Sequence, residues 1–388
     1  MYKRQTAVEL TSALIKCRSI TPISAGSIDL IISYLEPMGF TCTKLDFGHG
    51  VEKVENLYAR LGSSEPNICF AGHVDVVPTG DEQSWSIDPF GGEIKKGKIW
   101  GRGAADMKSG IAAFIAAISE FMEKNNNLQD YGSISLIITS DEEGKAINGT
   151  KKVVEWLINK SEKISGCIVG EPTNVNQMGD TIKIGRRGSF TGSLTVKGIQ
   201  GHVGYPDLAE NPINSLLKML EPFSKIYLDK GTNEFQPSSV MVTTIDVNND
   251  ASNVIPGEVK AKFNIRFNTL HSVASLQSML KDQFDAITKN YEFDYFCNAE
   301  PFLTSDEELK STLQNAITKV VNVNPEKSTT GGTSDARFIT KLCPVIEFGL
   351  VGKTMHKIDE NVEVDDIMKL TKIYNKFLHN YFRVEKND

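Results

Sequence analysis

Ser133-Ile134-Ser135-Leu136-Ile137-Ile138-Thr139-Ser140-Asp141-Glu142-Glu143-Gly144 joins two unlike halves, an apolar run suited to a buried strand and three acidic residues in a row. Carboxylates set side by side at a strand end repel one another unless cationic charge sits among them. A solvated acidic turn is the ordinary explanation of such a run. The apolar strand that leads into it makes a buried site the alternative, and the rest of the chain bears on the choice.

Working outward, the first 180 or so residues alternate strand-like and helix-like segments. Ala7 to Lys16, Ser27 to Met38, Asp106 to Lys124 and Thr150 to Lys160 have helical apolar spacing, and Gly39 is suited to stop the second. Asn67 to Ala71 and Ile164 to Val169 read, like Ser133 to Thr139, as buried strands. Such alternation predicts an α/β fold with a mainly parallel sheet. After Gly188 the style changes. Strands are expected over Ser189–Lys197, Ser239–Val247, Glu258–Phe267 and Glu292–Cys297, with helices over Asn211–Leu228 and Val273–Ala286. The order β-α-β-β-α-β is the split βαβ, ferredoxin-like arrangement. A helix near Asp306–Val321, a strand near Val345–Gly349 and a helix over Val364–Phe382 then resume the α/β style. Residues 188–300 are therefore expected to be an inserted domain between the two parts, 1–187 and 301–388, of a larger one.

Composition narrows the function. The 388 residues carry 42 Lys+Arg against 49 Asp+Glu, a net charge of −7, with 40% hydrophobic and 23% charged residues. That is the balance of a globular protein, and its acidity without a basic run argues against nucleic acid. No apolar stretch approaches the ~18 residues of a membrane helix. The six cysteines form no C-x-x-C pair, which argues against a thiolate metal site or a disulfide framework. No signal-peptide core follows Met1, and a cytoplasmic enzyme is expected.

Four further segments carry polar clusters. Gly72-His73-Val74-Asp75-Val76-Val77-Pro78 follows a strand and places an imidazole two residues from a carboxylate that can accept its other ring N–H. Gly101-Arg102-Gly103-Ala104-Ala105-Asp106-Met107-Lys108 leads into the longest helix of the first part. Gly170-Glu171-Pro172-Thr173 ends another strand, and Gly352-Lys353-Thr354-Met355-His356 follows a late one. Singly, each has an ordinary explanation: His73 a hydrogen-bonded core residue, Asp106 a helix cap, the acidic run a wet turn. Together they do not, because ligands of open α/β sheets collect at the carboxyl ends of strands. Two histidines and several carboxylates without thiolate match the donors of paired hydrolytic Zn²⁺ ions.

As a set, these segments resemble the signatures of the di-zinc deacylase and exopeptidase family that includes aminoacylase and carboxypeptidase-G-type enzymes. Gly185-Arg186-Arg187-Gly188-Ser189, Gly201-His202-Val203-Gly204-Tyr205-Pro206, Ser252-Asn253-Val254-Ile255-Pro256 and Gly331-Gly332-Thr333-Ser334-Asp335-Ala336-Arg337-Phe338 extend the resemblance from end to end. They resemble most the branch that cleaves the succinyl amide of N-succinyl-LL-2,6-diaminopimelate, a step toward lysine and cell-wall precursors. An acetylornithine deacetylase or aminoacylase of the same fold, or a binder without catalysis, is the alternative.

The resemblance implies roles. His73 and Glu171 hold one zinc, Glu143 and His356 the other, and Asp106 bridges them; cobalt can substitute. Asp75 orients His73. Glu142, which is not a ligand, is the general base toward a water shared by the two ions, whose pKa is brought toward ~7. The bond Asp106–Met107 is expected to be cis. The insertion forms a homodimer, from which His202 reaches the other subunit's site as a donor to the developing oxyanion. Arg186 (or Arg187) and Arg266 are candidates for substrate carboxylates. Ser189, Tyr205, Asn253, Gly332 and Thr333 complete the implied pocket. One departure is Gly352, where many relatives carry Asn four residues before the last histidine; amides of the Gly352 loop are expected to substitute. His49, His271 and His379 fall in no motif and are read as surface or structural.

Overall fold

Every residue of Asn67–His73 and of Ser133–Thr139 is buried. Strands without an exposed face belong in the middle of a sheet covered on both sides. In the computed structural model, which describes residues 6–125 and 128–384, they pair in parallel inside an eight-stranded sheet.

In chain order the principal strands are β1 (Thr41–Phe47), β2 (Val54–Leu61), β3 (Asn67–His73), β4 (Ser133–Thr139), β5 (Gly166–Val169), β6 (Thr181–Lys183), β7 (Gly188–Lys197), β8 (Ser239–Asp246), β9 (Glu258–Phe267), β10 (Tyr291–Ala299), β11 (Glu326–Ser328) and β12 (Val345–Glu347). The principal helices are α1 (Ala7–Lys16), α2 (Ser27–Leu35), α3 (Ser109–Lys124), α4 (Thr150–Asn159), α5 (Pro212–Leu220), α6 (Val273–Asp285), α7 (Glu307–Val321) and α8 (Val364–Tyr381). The chain divides into two units. One comprises Met1–Ile184, Thr304–Ser328 and Ser334–Asp388, the other Gly185–Leu303 and Thr329–Thr333.

In the first unit the sheet order is β1-β2-β4-β3-β5-β12-β6-β11. The central block β4-β3-β5-β12 is parallel, and β1 and β2 add an antiparallel edge. Side chains alternate between the two faces of a strand. Leu57 of β2 joins the main core with Phe70, Leu136, Phe114 and Tyr374, whereas its neighbour Tyr58 meets Trp156 of α4 at 5.9 Å between ring centres. Helices therefore cover both faces. The main core is anchored by Phe70 stacked on Phe114 at 4.4 Å, with Tyr374 edge-on to both. Burying each such ring stabilises the fold by roughly 1.5–3 kcal/mol.

The second unit has strand order β8-β9-β7-β10, antiparallel throughout. Along β9 buried residues alternate strictly with more exposed ones: Val259, Ala261, Phe263, Ile265 and Phe267 are buried against residues such as Leu216 and Met219 of α5 and Leu276, Leu280 and Phe284 of α6. This is the expected ferredoxin-like module.

Two helices differ from the pattern. The expected Asn211–Leu228 helix ends at Leu220, because Pro222 turns the chain into a short 3₁₀ segment, Glu221–Lys225. The expected helix at Asp106 begins only at Ser109. Asp106 itself has φ −125° and ψ 98°, outside the helical region, and its side chain does not cap the helix. Asp106–Met107 is cis, as are Thr21–Pro22 and Glu65–Pro66.

Candidate metal centre

The parallel strands β3, β4, β5 and β12 all deliver loops from their carboxyl ends to one place. His73 is the last residue of β3 and pairs in register with Thr139, the last of β4. Glu142 and Glu143 follow β4, Glu171 follows β5, and His356 lies in the turn after β12. Asp106 comes from the irregular Ala104–Lys108 segment before α3, whose first turn packs on the β5 end. A Cβ on Gly110 would lie 2.7 Å from the Gly170 carbonyl oxygen, so only glycine allows that approach.

The side chains converge. His73 Nε2 lies 3.1 Å from Asp106 Oδ1 and 3.8 Å from Glu171 Oε1. His356 Nε2 lies 3.2 Å from Asp106 Oδ2 and 2.7 Å from Glu143 Oε1. Two groups of potential metal ligands result, His73–Asp106–Glu171 and Asp106–Glu143–His356, with Asp106 common to both. Glu142 forms a third group with His73 and Glu143, all ligand atoms lying within 4.8 Å of one another. His73 is buried, whereas His356 is half exposed.

The electrostatics describe a cluster short of positive charge. Burial, with neighbouring carboxylates, pushes Glu142 and Glu171 well above the usual carboxylate range. Burial pulls the His73 imidazole down, but the Asp106 hydrogen bond and the charges of Glu171, Asp106 and Asp75 raise it well above its ordinary value. His356 is pushed up to about 10 by its hydrogen bonds to Asp106 and Glu143. Burial disfavours the Asp106 carboxylate, yet hydrogen bonds from both histidines hold it below the usual range. The cluster thus gathers protons to balance its carboxylates. Two divalent cations would take their place, and two imidazoles plus three carboxylates are suitable donors.

Asp75 acts in a way the spacing does not predict. The ring Nδ1 of His73 lies 2.9 Å from the Asp75 backbone carbonyl, and 3.7 Å from its side-chain Oδ1. The buried carboxylate instead accepts the backbone N–H groups of Glu142 (3.3 Å) and Glu143 (3.1 Å). It joins the histidine strand to the acidic turn, and burial lifts its pKa to about 6. Of the amides in the Gly352 loop, that of Gly352 itself donates to the Asn174 carbonyl at 3.0 Å and is already committed.

The remaining candidates lie in the second unit. His202 is exposed in the short ladder Gly201–His202 against Val254–Ile255, its Nδ1 accepting the Gly204 amide. Tyr205, also exposed, stands 5.6 Å from the His202 ring, and the Asn253 carbonyl accepts the Val203 amide. Ser189 and Arg266 are cross-strand partners. Burial and the Arg187 guanidinium lower the pKa of Arg266, while Arg187 donates to the Pro237 carbonyl. Arg186 donates to the Thr330 carbonyl beside Gly331, next to Gly332 and Thr333. As for the other histidines, His49 is exposed, His271 faces Asp229 at 3.2 Å, and His379 is buried against Phe121.

Sequence reasoning assigns no role to Arg102, Lys108 or Glu360, although all three sit in the quoted motifs or beside them. They are buried charges. Lys108 donates to the Leu14 and Cys17 carbonyls, tying the end of α1 to the Asp106 segment. Burial lowers its pKa to about 8.

Residues 69–380 match the description "Peptidase family M20/M25/M40". The chain belongs to this peptidase family. Among its relatives, a protein of Rhodospirillum centenum is 52% identical over 97% of this chain and 97% of its own length. Another, of Pelagibacter ubique, is 52% identical over 97% of this chain and 98% of its own. Both are named succinyl-diaminopimelate desuccinylase. Among solved structures, an M20 family metallo-carboxypeptidase of Sulfolobus solfataricus has a TM-score of 0.75 at 19% identity, covering 98% of this chain and 100% of that one. An aminopeptidase of Bacillus cereus has a TM-score of 0.78 at 18% identity, covering 98% and 99%. These structures show the shared M20 fold.

Proposed function

We propose that the chain is a metal-dependent amidohydrolase that cleaves N-succinyl-LL-2,6-diaminopimelate into succinate and LL-2,6-diaminopimelate, a reaction of lysine and cell-wall precursor synthesis. The observation that carries the hydrolytic reading is the pair of ligand groups sharing Asp106, with a further carboxylate, Glu142, beside them. The succinyl substrate rests on the relatives' names.

His73 and Glu171 would hold one cation and Glu143 and His356 the other, with Asp106 between them. The ions would be zinc, by the nitrogen and oxygen donors, with cobalt able to substitute. Such ions supply Lewis acidity to the scissile carbonyl and lower the pKa of a bound water. Glu142 takes a proton from the attacking water and returns it to the departing amine. Asp75 keeps Glu142 within reach by holding the amides of the acidic turn.

Arg186, Arg266, Ser189, Tyr205, Asn253, Gly332 and Thr333 are assigned to substrate binding, the guanidiniums for its carboxylates. His202 is assigned as donor to the oxyanion, supplied by the second subunit of a homodimer built through the inserted unit. We assign the enzyme to the cytoplasm on the biosynthetic reaction for which its relatives are named. Among the described residues no helix is long and apolar enough to cross a membrane.

The test is turnover by the purified, metal-loaded protein of succinyl-diaminopimelate against N-acetylornithine and other N-acetyl amino acids. The succinyl substrate is expected to be hydrolysed with the higher kcat/KM. Preferred acetyl turnover would make the chain an acetyl-specific deacylase of the same fold, and no hydrolysis of any acyl amino acid would make it a binder.

A further inference from the structure

Behind the metal centre lies an ion pair to which the reading above gives no role. Arg102 and Glu360 are 2% and 0% exposed, and Arg102 Nη1 meets Glu360 Oε2 at 2.7 Å. The other carboxylate oxygen of Glu360 accepts the backbone N–H of Ala105 at 2.8 Å and of Asp106 at 3.2 Å. Its own backbone carbonyl accepts the Gly101 amide. Arg102 donates onward, from Nη1 to the Lys357 carbonyl at 3.1 Å and from Nη2 to the Pro78 carbonyl at 3.3 Å. Its guanidinium lies 5.1 Å from the Trp85 ring centre, and Trp85 in turn donates to the Thr79 carbonyl. Only its Nε finds no acceptor among the described residues.

The pattern of partners is what matters. Lys357 follows His356, Asp106 is held by its own amide, and Pro78 closes the loop that starts at His73. One buried pair therefore cross-links the three loops that carry His73, Asp106 and His356. Removing two charges from water is costly, and removing one partner leaves the other charge buried and uncompensated, so the pair and its hydrogen bonds tie the three loops together. His356 has φ +62°, in the sparsely populated left-handed region.

We propose that Arg102 and Glu360 are positioning residues of the metal centre, which set the separation of the Asp106 carboxylate from the two imidazoles by holding the backbone of their three loops. The proposal rests on the metal-centre reading. Outer groups that orient ligands typically change metal affinity or activity by about 10–100-fold when altered.

The experiment is titration of the metal-stripped full chain with Co²⁺, followed by calorimetry and by the visible absorption of the bound cobalt. Wild type is expected to take up two equivalents. Glu360→Gln keeps the size of the side chain but replaces one accepting oxygen with an NH₂ donor, which must face either the Arg102 guanidinium or the Ala105 and Asp106 amides. It is expected to bind at least one equivalent about 10–100-fold more weakly, with an altered visible spectrum at saturation. If both affinities stay within about twofold of wild type and the spectrum is unchanged, the proposal is overturned, even where the melting temperature has fallen, since the pair is then structural only. Should Glu360→Gln not fold, Arg102→Lys, which retains the charge but not the fork, is judged on the same two readouts. Wild type that binds no Co²⁺ would instead overturn the metal-centre reading itself.

Discussion

His356 and Glu143 are separated by 213 residues in the chain, and their Nε2 and Oε1 atoms are 2.7 Å apart. The contact exists because β4 and β12 both end at the same edge of the sheet. On the proposed two-ion reading, it predicts that His356→Ala lowers the metal content by one ion and kcat/KM by more than about 100-fold, the upper range for altering a group behind a ligand. Metal analysis after gel filtration, together with kinetics, checks this. A variant that still carries both ions would take His356 out of the ligand set.

Glu142 touches the same cluster without being needed to close either of the two Asp106 groups. Glu142→Gln is therefore expected to keep its metal content and lose roughly 10²–10⁴-fold in kcat, the range for a positioned acid–base group. KM should change little. Metal analysis and steady-state kinetics on the same preparation decide it, and retention of most activity would assign the proton transfer elsewhere.

Much of this site was legible because its residues stand at ends of strongly apolar strands. Asn67–His73 and Ser133–Thr139 announce themselves by composition, and a charge placed directly after such a run is out of keeping with it. The weaker elements were not legible. β1 has one buried residue, Leu45, in its burial pattern, so no alternation marks it, and β6 and β11 are three residues each. Asp106 has a helix-like sequence context, yet Glu360, more than 250 residues away, takes its amide and keeps it out of the helix. Contacts of that kind leave no periodic trace. The same holds for Asp75, whose carboxylate serves the backbone of the acidic turn while its carbonyl faces His73.

Gly110 offers a test of how tightly α3 is seated. The Gly170 carbonyl oxygen, 2.7 Å from where a Cβ would stand, is backbone next to Glu171 and cannot swing aside like a side chain. Gly110→Ala should gain helix propensity and still destabilise the protein, because overpacking costs about 1–3 kcal/mol. Urea denaturation checks the sign. Stability equal to or above wild type would mean that the helix start shifts freely.

The second unit carries a pH-dependent element far in sequence from any proposed ligand. Burial pushes the Asp229 carboxyl up, but the Ser238 hydroxyl, the Gly231 and Ser238 amides and the Asn268 side chain outweigh it and hold the pKa below the usual carboxylate value. A group depressed in the folded state contributes stability above its unfolded pKa, about 3.9 for Asp, and loses it as the pH falls through the folded value. Asp229→Asn is therefore expected to be less stable than wild type at pH 7. The difference should shrink once the pH falls below about 4, as the wild-type carboxyl itself takes up a proton. Urea denaturation of both proteins at pH 7 and at pH 3 measures it. A gap that is the same at both would show that the hydrogen bonds stabilise Asp229 without regard to its charge.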